Sequence, residues 1–247
     1  EWGAQQRIRS SPHDSIIRWD DIVDRLDAQL YIGALRLAPG KSKLEQQVFR
    51  QMISELALWD RRLIHFLAEL PEWKLFQPEE PLSEYASIEL GWVPSAVIDV
   101  ELAWKRGMAL HVDERIEWHS AWLALNGNEA QLRSRLWGAQ VSVLFPYLEL
   151  LRHELIKMIG QHIEFPVYDE NGYAISDKFD LEFRHIYNFM RSKPAASRYP
   201  PQIIAYVNEL RRIRNLLAHL NVLGAENIRL LAHPPQQFVE LTAFAAS

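Results

Sequence analysis

The chain has 247 residues, of which 48% are hydrophobic, with a formal net charge of −5 and no cysteine. That length and composition suit one large globular domain or two small ones. The absence of cysteine excludes disulfides, thiol catalysis and zinc sites built on thiolates. The sequence shows neither an apolar run of membrane-spanning length nor a signal-peptide pattern, so we expect a cytoplasmic protein without a membrane partner.

The first part of the chain is predicted to be helical. Ser11-Pro12 is typical of a helix start, with serine as the cap and proline in the first turn, and it predicts a helix that ends near Leu37. Ser42 and Glu45 have the spacing of a capping box, which predicts a second long helix ending before Pro71. Two long helices with a short connection should pack antiparallel.

The next segment is rich in proline and aromatic residues. We therefore expect an irregular but packed loop over 71–94 and helices at about 95–109 and 112–125. Metal-binding residue types occur here as well, but their spacing fits no standard ligand set. We interpret them as a solvated helix start and predict no metal site; they are His111, Asp113, Glu114 and His119.

Asn126-Gly127-Asn128 is the clearest break in the sequence and predicts a domain boundary. On this interpretation residues 1–127 form a helical N-terminal region of unknown role, and residues 128–247 form a second helical domain. A long helix should run over about 129–162, kinked at Pro146, where the ring clashes with the carbonyl one turn back.

The remaining elements complete the second domain. A turn at 168–173 suggests a small hairpin, and helices are predicted at about 176–191, 201–220 and 224–232. The expected fold class is therefore all-α, a helical bundle.

Charge is distributed unevenly along the chain. Residues 1–127 hold 14 Lys/Arg against 20 Asp/Glu, whereas residues 128–247 hold 13 against 12. Between Arg184 and Arg214 there is one acid, Glu209, and seven basic residues: Arg184, Arg191, Lys193, Arg198, Arg211, Arg212 and Arg214. A local field of this sign suits a polyanion, although a solvated helix face would have the same composition.

The predicted helix at 201–220 carries the most distinctive pattern. Leu210, Ile213 and Leu217 recur at helical spacing and should form a buried stripe. Three polar residues four positions apart should share another face: Arg211, Asn215 and His219.

The segment Leu210-Arg211-Arg212-Ile213-Arg214-Asn215-Leu216-Leu217-Ala218-His219 resembles the signature of the HEPN superfamily, an arginine followed by a polar residue with a histidine a few positions on. Upstream, 136–152 resembles the long first helix of such a domain, and 181–186 resembles the segment before its last long helix. The resemblance covers roughly the C-terminal half of the chain.

That resemblance implies a metal-independent endoribonuclease of a bacterial toxin or anti-phage type, with no cofactor. His219 would transfer protons, Arg214 would stabilise the phosphorane, and Asn215 would orient the histidine or a phosphate oxygen. The other basic residues would bind RNA phosphates: Arg184, Arg191, Lys193, Arg198, Arg211 and Arg212. The products would be a 2′,3′-cyclic phosphate and a 5′-hydroxyl.

Arg214 and His219 lie about 140° apart in rotation on an ideal helix, so they do not share a face. The family resemblance implies a homodimer in which two motifs line one cleft. Three alternatives stay open. In the first, His219 caps the helix as a cation near its carbonyl end and Arg214 makes an internal ion pair. In the second, the domain is a non-catalytic sensor or adaptor that docks a regulatory partner through the acidic, Trp-rich N-terminal region, with an NTPase as a candidate neighbour. In the third, the chain is a generic helical scaffold.

Overall fold

The computed structural model describes residues 25–35, 40–95, 98–112, 115–169, 171–192, 195 and 197–245. Helices account for 68% of these residues, which confirms the predicted all-α class. The predicted helix start at Ser11-Pro12 lies outside the described residues, as do Asp113, Glu114 and Lys193. Within these ranges, no helix combines the length and apolar character needed to cross a bilayer.

The described chain divides into two compact units, residues up to 41 with 46–139, and residues 42–45 with 140 onwards. This division falls inside a helix, between Ala139 and Gln140. A tight turn at Gly127, with φ of +69°, separates two helices at the predicted break. The predicted domain boundary at residue 128 stays a prediction.

The first unit contains short helices and one small hairpin. Its elements are α1 (Arg25–Ala34), most of α2 (Lys43–Ala57), α3 (Arg61–Glu69), α4 (Glu72–Phe76), α5 (Glu79–Ile88), α6 (Val100–Lys105), β1 (Ala109–Val112), β2 (Arg115–Trp118), α7 (Ser120–Leu125) and the start of α8 (Glu129–Ile159).

The predicted single helix over 42–70 is wrong, because α2 ends at Ala57 and α3 begins at Arg61. Leu58 adopts a left-handed conformation with φ of +53°. Asp60 then caps α3, since its carboxylate accepts the backbone N–H groups of Arg62 at 2.8 Å and Leu63 at 3.3 Å. The capping box at the start of α2 is confirmed: Ser42 and Glu45 exchange hydrogen bonds of 2.9 and 3.2 Å.

The predicted loop over 71–94 is also wrong, since α4 and α5 occupy most of it. Pro71 and Pro78 stand at the N-cap positions of these helices, where a missing N–H costs no helical hydrogen bond. The expected aromatic packing is present, because Tyr85 and Trp92 are buried.

The antiparallel strands β1 and β2 replace the last residue of the predicted helix at 95–109 and the first part of the predicted helix at 112–125. Gly107, with φ of +73°, turns the chain after α6, and β1 pairs with β2 so that Ala109 faces Trp118. Only the last part of the predicted helix at 112–125 is helical, as α7.

The second unit contains the rest of α8, a short hairpin and four further helices. Its elements are the 3-10 turn Gly160–His162, β3 (Val167–Tyr168), β4 (Ala174–Ile175), the 3-10 turn Lys178–Asp180, α9 (Phe183–Arg191), α10 (Pro201–Ala218), α11 (Ala225–Ala232) and α12 (Gln236–Ala245). The predicted hairpin at 168–173 and the helices at 201–220 and 224–232 are confirmed, and α8 runs through Pro146 as one helix. The predicted helix at 176–191 begins only at Phe183, and α12 was not predicted.

The core of the second unit brings together the apolar faces of its helices. Ile186 and Met190 of α9 are fully buried, as are Leu210, Ile213 and Leu217 of α10. α9 packs against α10. The predicted buried stripe is therefore confirmed, and it leaves the polar face of α10 outside this core.

Candidate functional site

The candidate motif lies on the last two turns of α10 and on the residue that follows. Pro201 occupies the first helical position, where its fixed φ favours the helix. The helix ends at Ala218, and His219 is its C-cap, with a backbone N–H directed at the carbonyl groups of Asn215 and Leu216 at 3.0 and 3.2 Å. Leu220 then turns the chain with φ of +60°.

A buried glutamine fixes the segment that follows His219. The side-chain amide of Gln140 donates to the carbonyl of Leu223 at 2.9 Å, and its oxygen accepts the Leu223 backbone N–H at 2.7 Å. Gln140 is completely buried and Leu223 is 1% exposed. Both bonds are therefore shielded from water, and they anchor the chain four residues beyond the candidate histidine.

A first depression, which we call the Arg214 groove, has a volume of about 380 Å³. It is lined by residues from α8, the 3-10 turn after the second hairpin, α9 and α10: Glu149, Arg152, Phe179, Asp180, Glu182, Phe183, Arg184, Arg211, Arg214 and Asn215. A second depression, the His219 hollow, has a volume of about 230 Å³. It is lined by Arg211, Arg212, Asn215, Leu216, His219 and Asn221.

Arg214 and His219 thus line two depressions of the chain rather than a single cleft. Arg211 and Asn215 line both depressions and connect them. This arrangement agrees with the 140° rotation expected for five residues on a helix. The arginine and the histidine of the motif therefore face neighbouring depressions.

The three motif side chains are available for a ligand. In the part of the chain that the structure describes, Arg214 has no hydrogen bond or ion pair, and the imidazole of His219 has no polar partner. His219 and Asn215 are exposed, and Arg214 is half-buried. An arginine at the wall of a groove without an acidic partner retains its full capacity to bind an anion.

Arg211 is the most constrained cation of the site. Its guanidinium lies 5.1 Å from the centre of the Tyr187 ring and donates to the side-chain oxygen of Asn208 at 3.0 Å. Its Nε atom is buried and has no hydrogen-bond partner among the described residues. Arg191, one turn after Tyr187, lies 5.2 Å from the same ring. Tyr187 therefore contacts two guanidinium groups, and one of them, that of Arg211, lines both depressions.

The other residues predicted to bind phosphate are ion-paired, lie away from the two depressions or fall outside the described residues. Arg184 lies 3.4 Å from Glu182 and 3.9 Å from Asp169, and Arg212 bonds Glu209 at 2.7 Å. Arg212 also donates to Asn227. Arg198 is exposed but lines neither depression, and Lys193 lies outside the described residues. The fold therefore groups Arg184, Arg211, Arg212 and Arg214 around the two depressions.

Acidic residues from outside the 184–214 window also line the Arg214 groove. Glu149 comes from α8, Asp180 from the 3-10 turn and Glu182 from the start of α9. Glu149 pairs with Arg152, which also donates to the carbonyl groups of the loop before α9. The cationic character that the sequence predicted for this region is thus partly balanced at the groove by carboxylates from other elements.

Several residues that line the Arg214 groove were not predicted from the sequence. Phe179 and Asp180 fell inside a predicted helix at 176–191, so their exposure was not foreseen. Phe179 is 50% exposed although it lines the groove. Asp177 is the sequence signal that could have identified the turn. Its carboxylate accepts the backbone N–H of Phe179 at 2.9 Å. An aspartate that bonds the backbone two residues further on favours a local turn over a helix.

The expectation that His119 belongs to a solvated helix start is wrong. His119 is 2% exposed, and its Nδ1 accepts the backbone N–H of Ala121 at 3.2 Å to cap α7. Its ring packs edge-on against Trp92 with centroids 5.1 Å apart, and Nε2 lies 3.4 Å from a carboxylate oxygen of Asp60. Burial lowers the pKa of His119, although Asp60 opposes the shift. Among the described residues, no group of three or more histidines and acids is arranged to hold a metal ion.

The fold and the site define an all-α protein with an arginine-rich groove beside the last two turns of α10. Comparison with family models, with curated proteins and with solved structures finds no match to this chain.

Proposed function

We propose that the protein is a metal-independent endoribonuclease of the HEPN type, with the activity of a bacterial toxin or an anti-phage effector. The observation that supports this proposal best is the environment of Arg214. This arginine lines a groove and has no acidic partner within the described residues, and the exposed His219 lines the neighbouring depression. The proposal rests further on the motif that these residues form with Asn215.

The chemistry follows from the side chains at the two depressions. The ribose 2′-oxygen attacks the adjacent phosphorus, and the bond from phosphorus to the 5′-oxygen breaks. His219 accepts the proton of the 2′-hydroxyl or donates one to the leaving oxygen, and a second imidazole or water performs the other transfer. Arg214 donates paired hydrogen bonds to the phosphorane oxygens, where negative charge increases in the transition state.

Arg211 and Arg191 support the binding of the RNA backbone. Their guanidinium groups lie against the Tyr187 ring, and Arg211 lines both depressions. The buried Nε of Arg211 lacks a partner in the described chain, and a phosphate oxygen near that face would be attracted by the same guanidinium. Affinity for RNA should therefore fall steeply with salt, as it does whenever phosphate contacts dominate.

The separation of Arg214 from His219 supports a composite site in a homodimer. With the two residues in neighbouring depressions of one protomer, the arginine of one chain and the histidine of its partner would act on one phosphodiester. Arg211 and Asn215 line both depressions and would lie at the junction. Light scattering should show a dimer at the concentrations at which RNA is cleaved.

The primary test compares wild type with His219→Ala on mixed RNA in excess chelator. We expect cleavage by wild type and a loss of about 10²- to 10⁴-fold in the variant, as for removal of a general acid or base. His233→Ala is the matched control, because His233 is also an exposed C-cap, at the end of α11. Cleavage by neither wild type nor variant, or equal cleavage by both, would remove the proposal.

A mixing experiment tests the composite site. Arg214→Ala and His219→Ala chains are each inactive, but a mixed dimer would contain one intact pair if the two residues act across the interface. Co-expression should then restore roughly a quarter of the wild-type rate, since half of the dimers are mixed and each has one of two sites intact. No recovery in verified mixed dimers would show that each protomer must supply both residues.

A second candidate function is the non-catalytic adaptor. The observation that favours it is the mixed charge of the Arg214 groove, where Glu149, Asp180 and Glu182 accompany the arginines. Such a groove suits a protein segment that carries both signs of charge. An inactive wild-type protein that fails to bind RNA at low salt would favour this adaptor.

A further inference from the structure

A half-exposed aromatic ring and an unpaired carboxylate lie next to each other in the Arg214 groove. Phe179 is 50% exposed, whereas Phe183 of the same groove is 3% exposed and belongs to the core. The carboxylate of Asp180 is exposed and has no hydrogen bond or ion pair to any described residue. The other acids of the groove are engaged, Glu149 by Arg152 and Glu182 by Arg184.

We propose that Phe179 and Asp180 form a subsite for an unpaired guanine base, beside the phosphate that Arg214 binds. The proposal takes its ligand class, RNA, from the function proposed above. The groove volume of about 380 Å³ lies within the range of small-molecule pockets, so it can accommodate a nucleotide.

The ring of Phe179 provides a stacking surface. Lys178 lies over it with Nζ 5.1 Å from the ring centre, and His153 meets it at 83° with centroids 5.9 Å apart. The lysine is an exposed, flexible side chain that a base can displace, and its charge then remains near the RNA backbone. Because stacking on a phenyl ring requires the face of a base, the base must be unpaired and unstacked from its neighbours.

The carboxylate of Asp180 selects among the four bases by its hydrogen-bonding capacity. An ionised carboxylate only accepts, and it accepts best from two parallel N–H groups. Guanine presents such a pair on its Watson–Crick edge, N1–H and N2–H. Adenine and cytosine present an acceptor nitrogen beside their amino group, and uracil places its N3–H between two carbonyl oxygens, so each would direct an acceptor at the carboxylate.

The test uses short RNA that cannot be cleaved. Two fully 2′-O-methylated hexanucleotides, a hexauridylate and the same sequence with one guanosine, are titrated with wild-type protein by fluorescence anisotropy. We expect the guanosine-containing strand to bind about tenfold more tightly, the discrimination typical of one bidentate base contact. Annealing it to a complement should abolish that difference, because the paired base cannot enter the groove.

Three variants distinguish stacking from base recognition. Asp180→Asn replaces one acceptor oxygen by a donor and should reduce the guanosine preference to less than about twofold. Phe179→Leu keeps apolar volume but loses the planar ring, and should weaken both strands by about tenfold. Trp73→Leu is the matched control: Trp73 is 60% exposed with Lys74 over its ring, yet it lines neither depression, and its loss should change neither affinity.

The outcomes separate this subsite from the nuclease. Equal binding of the two strands by wild type, or a guanosine preference that survives in Asp180→Asn, overturns the subsite even if RNA is cleaved in a His219-dependent manner. A guanosine preference that depends on Asp180 supports the subsite even if no RNA is cleaved, since the methylated strands report binding alone.

Discussion

Replacing Gln140 by leucine should destabilise the second unit and release the chain beyond the candidate histidine. The substitution removes both hydrogen bonds to Leu223 and leaves one backbone N–H and one carbonyl buried without these partners. Each such group costs about 1 to 3 kcal/mol. The leucine side chain recovers about 1 kcal/mol through burial of apolar surface, so we expect a net loss of about 1 to 5 kcal/mol in the free energy of unfolding.

Hydrogen exchange is the assay that isolates this effect. The amide of Leu223 should be strongly protected in wild type and should exchange at least about tenfold faster in Gln140→Leu, because its acceptor is gone. Circular dichroism in urea gives the global loss. All nine tryptophans precede residue 140, so tryptophan emission offers a separate probe of the other part of the chain.

Gln131→Leu is the control, since Gln131 is exposed on the same helix. A loss of less than about 0.5 kcal/mol in Gln140→Leu, with unchanged exchange at Leu223, would refute the anchoring role, because this is the size of an ordinary surface substitution.

Three further predictions follow from local environments. Arg214→Lys should slow RNA cleavage by about 10²-fold at an unchanged melting temperature, because the guanidinium has no partner to lose within the described residues; a parallel fall in melting temperature would contradict this. Burial lowers the pKa of His119 in the folded protein. As the pH falls below about 6.5, the unfolded chain therefore binds a proton at this histidine before the folded protein does. The free energy of unfolding should then decrease by at most about 1.4 kcal/mol per pH unit. Urea unfolding between pH 7 and 5 should show this slope in wild type but not in His119→Asn, which keeps a capping acceptor for Ala121. Leu220→Gly should raise the free energy of unfolding by about 0.5 to 1 kcal/mol, since the exposed leucine has φ of +60°; destabilisation in urea would show that its side chain packs more than its 67% exposure indicates.

The elements that were predicted correctly are those whose signals are local. The stripe of Leu210, Ile213 and Leu217 predicts α10 to within about two residues at each end, because spacing alone decides which face is buried. The capping box of Ser42 and Glu45 likewise uses only neighbouring residues.

The wrong predictions concern residues whose role depends on distant partners. The sequence predicted Asp60 to be one polar residue within a long helix. In the structure it caps α3 and accepts a hydrogen bond from the Tyr85 hydroxyl at 3.0 Å. His119 was predicted to be solvated, but the fold surrounds it with Asp60 and two tryptophan rings. Prolines at 71 and 78 indicated a loop, whereas each precedes a short helix.

The residues of the candidate site likewise fall into those that were predicted from the sequence and those that were not. The motif residues Arg214, Asn215 and His219 come from one helix and could be selected from the sequence, and the rotation between them predicted that Arg214 and His219 would face different spaces. Phe179 and Asp180 could not be selected, because their exposure depends on a 3-10 turn that the sequence did not indicate. Charge counting within one window could not include Glu149, which the fold brings from α8.

Helix α10 keeps its structural residues and its chemical residues on separate faces. Its apolar side holds the second unit together, while Asn215 and His219 are exposed and contribute little to that packing. Substitutions on the outer side therefore change ligand preference at small thermodynamic cost. A helix of this kind can acquire new targets, or lose its activity altogether, while the protein continues to fold.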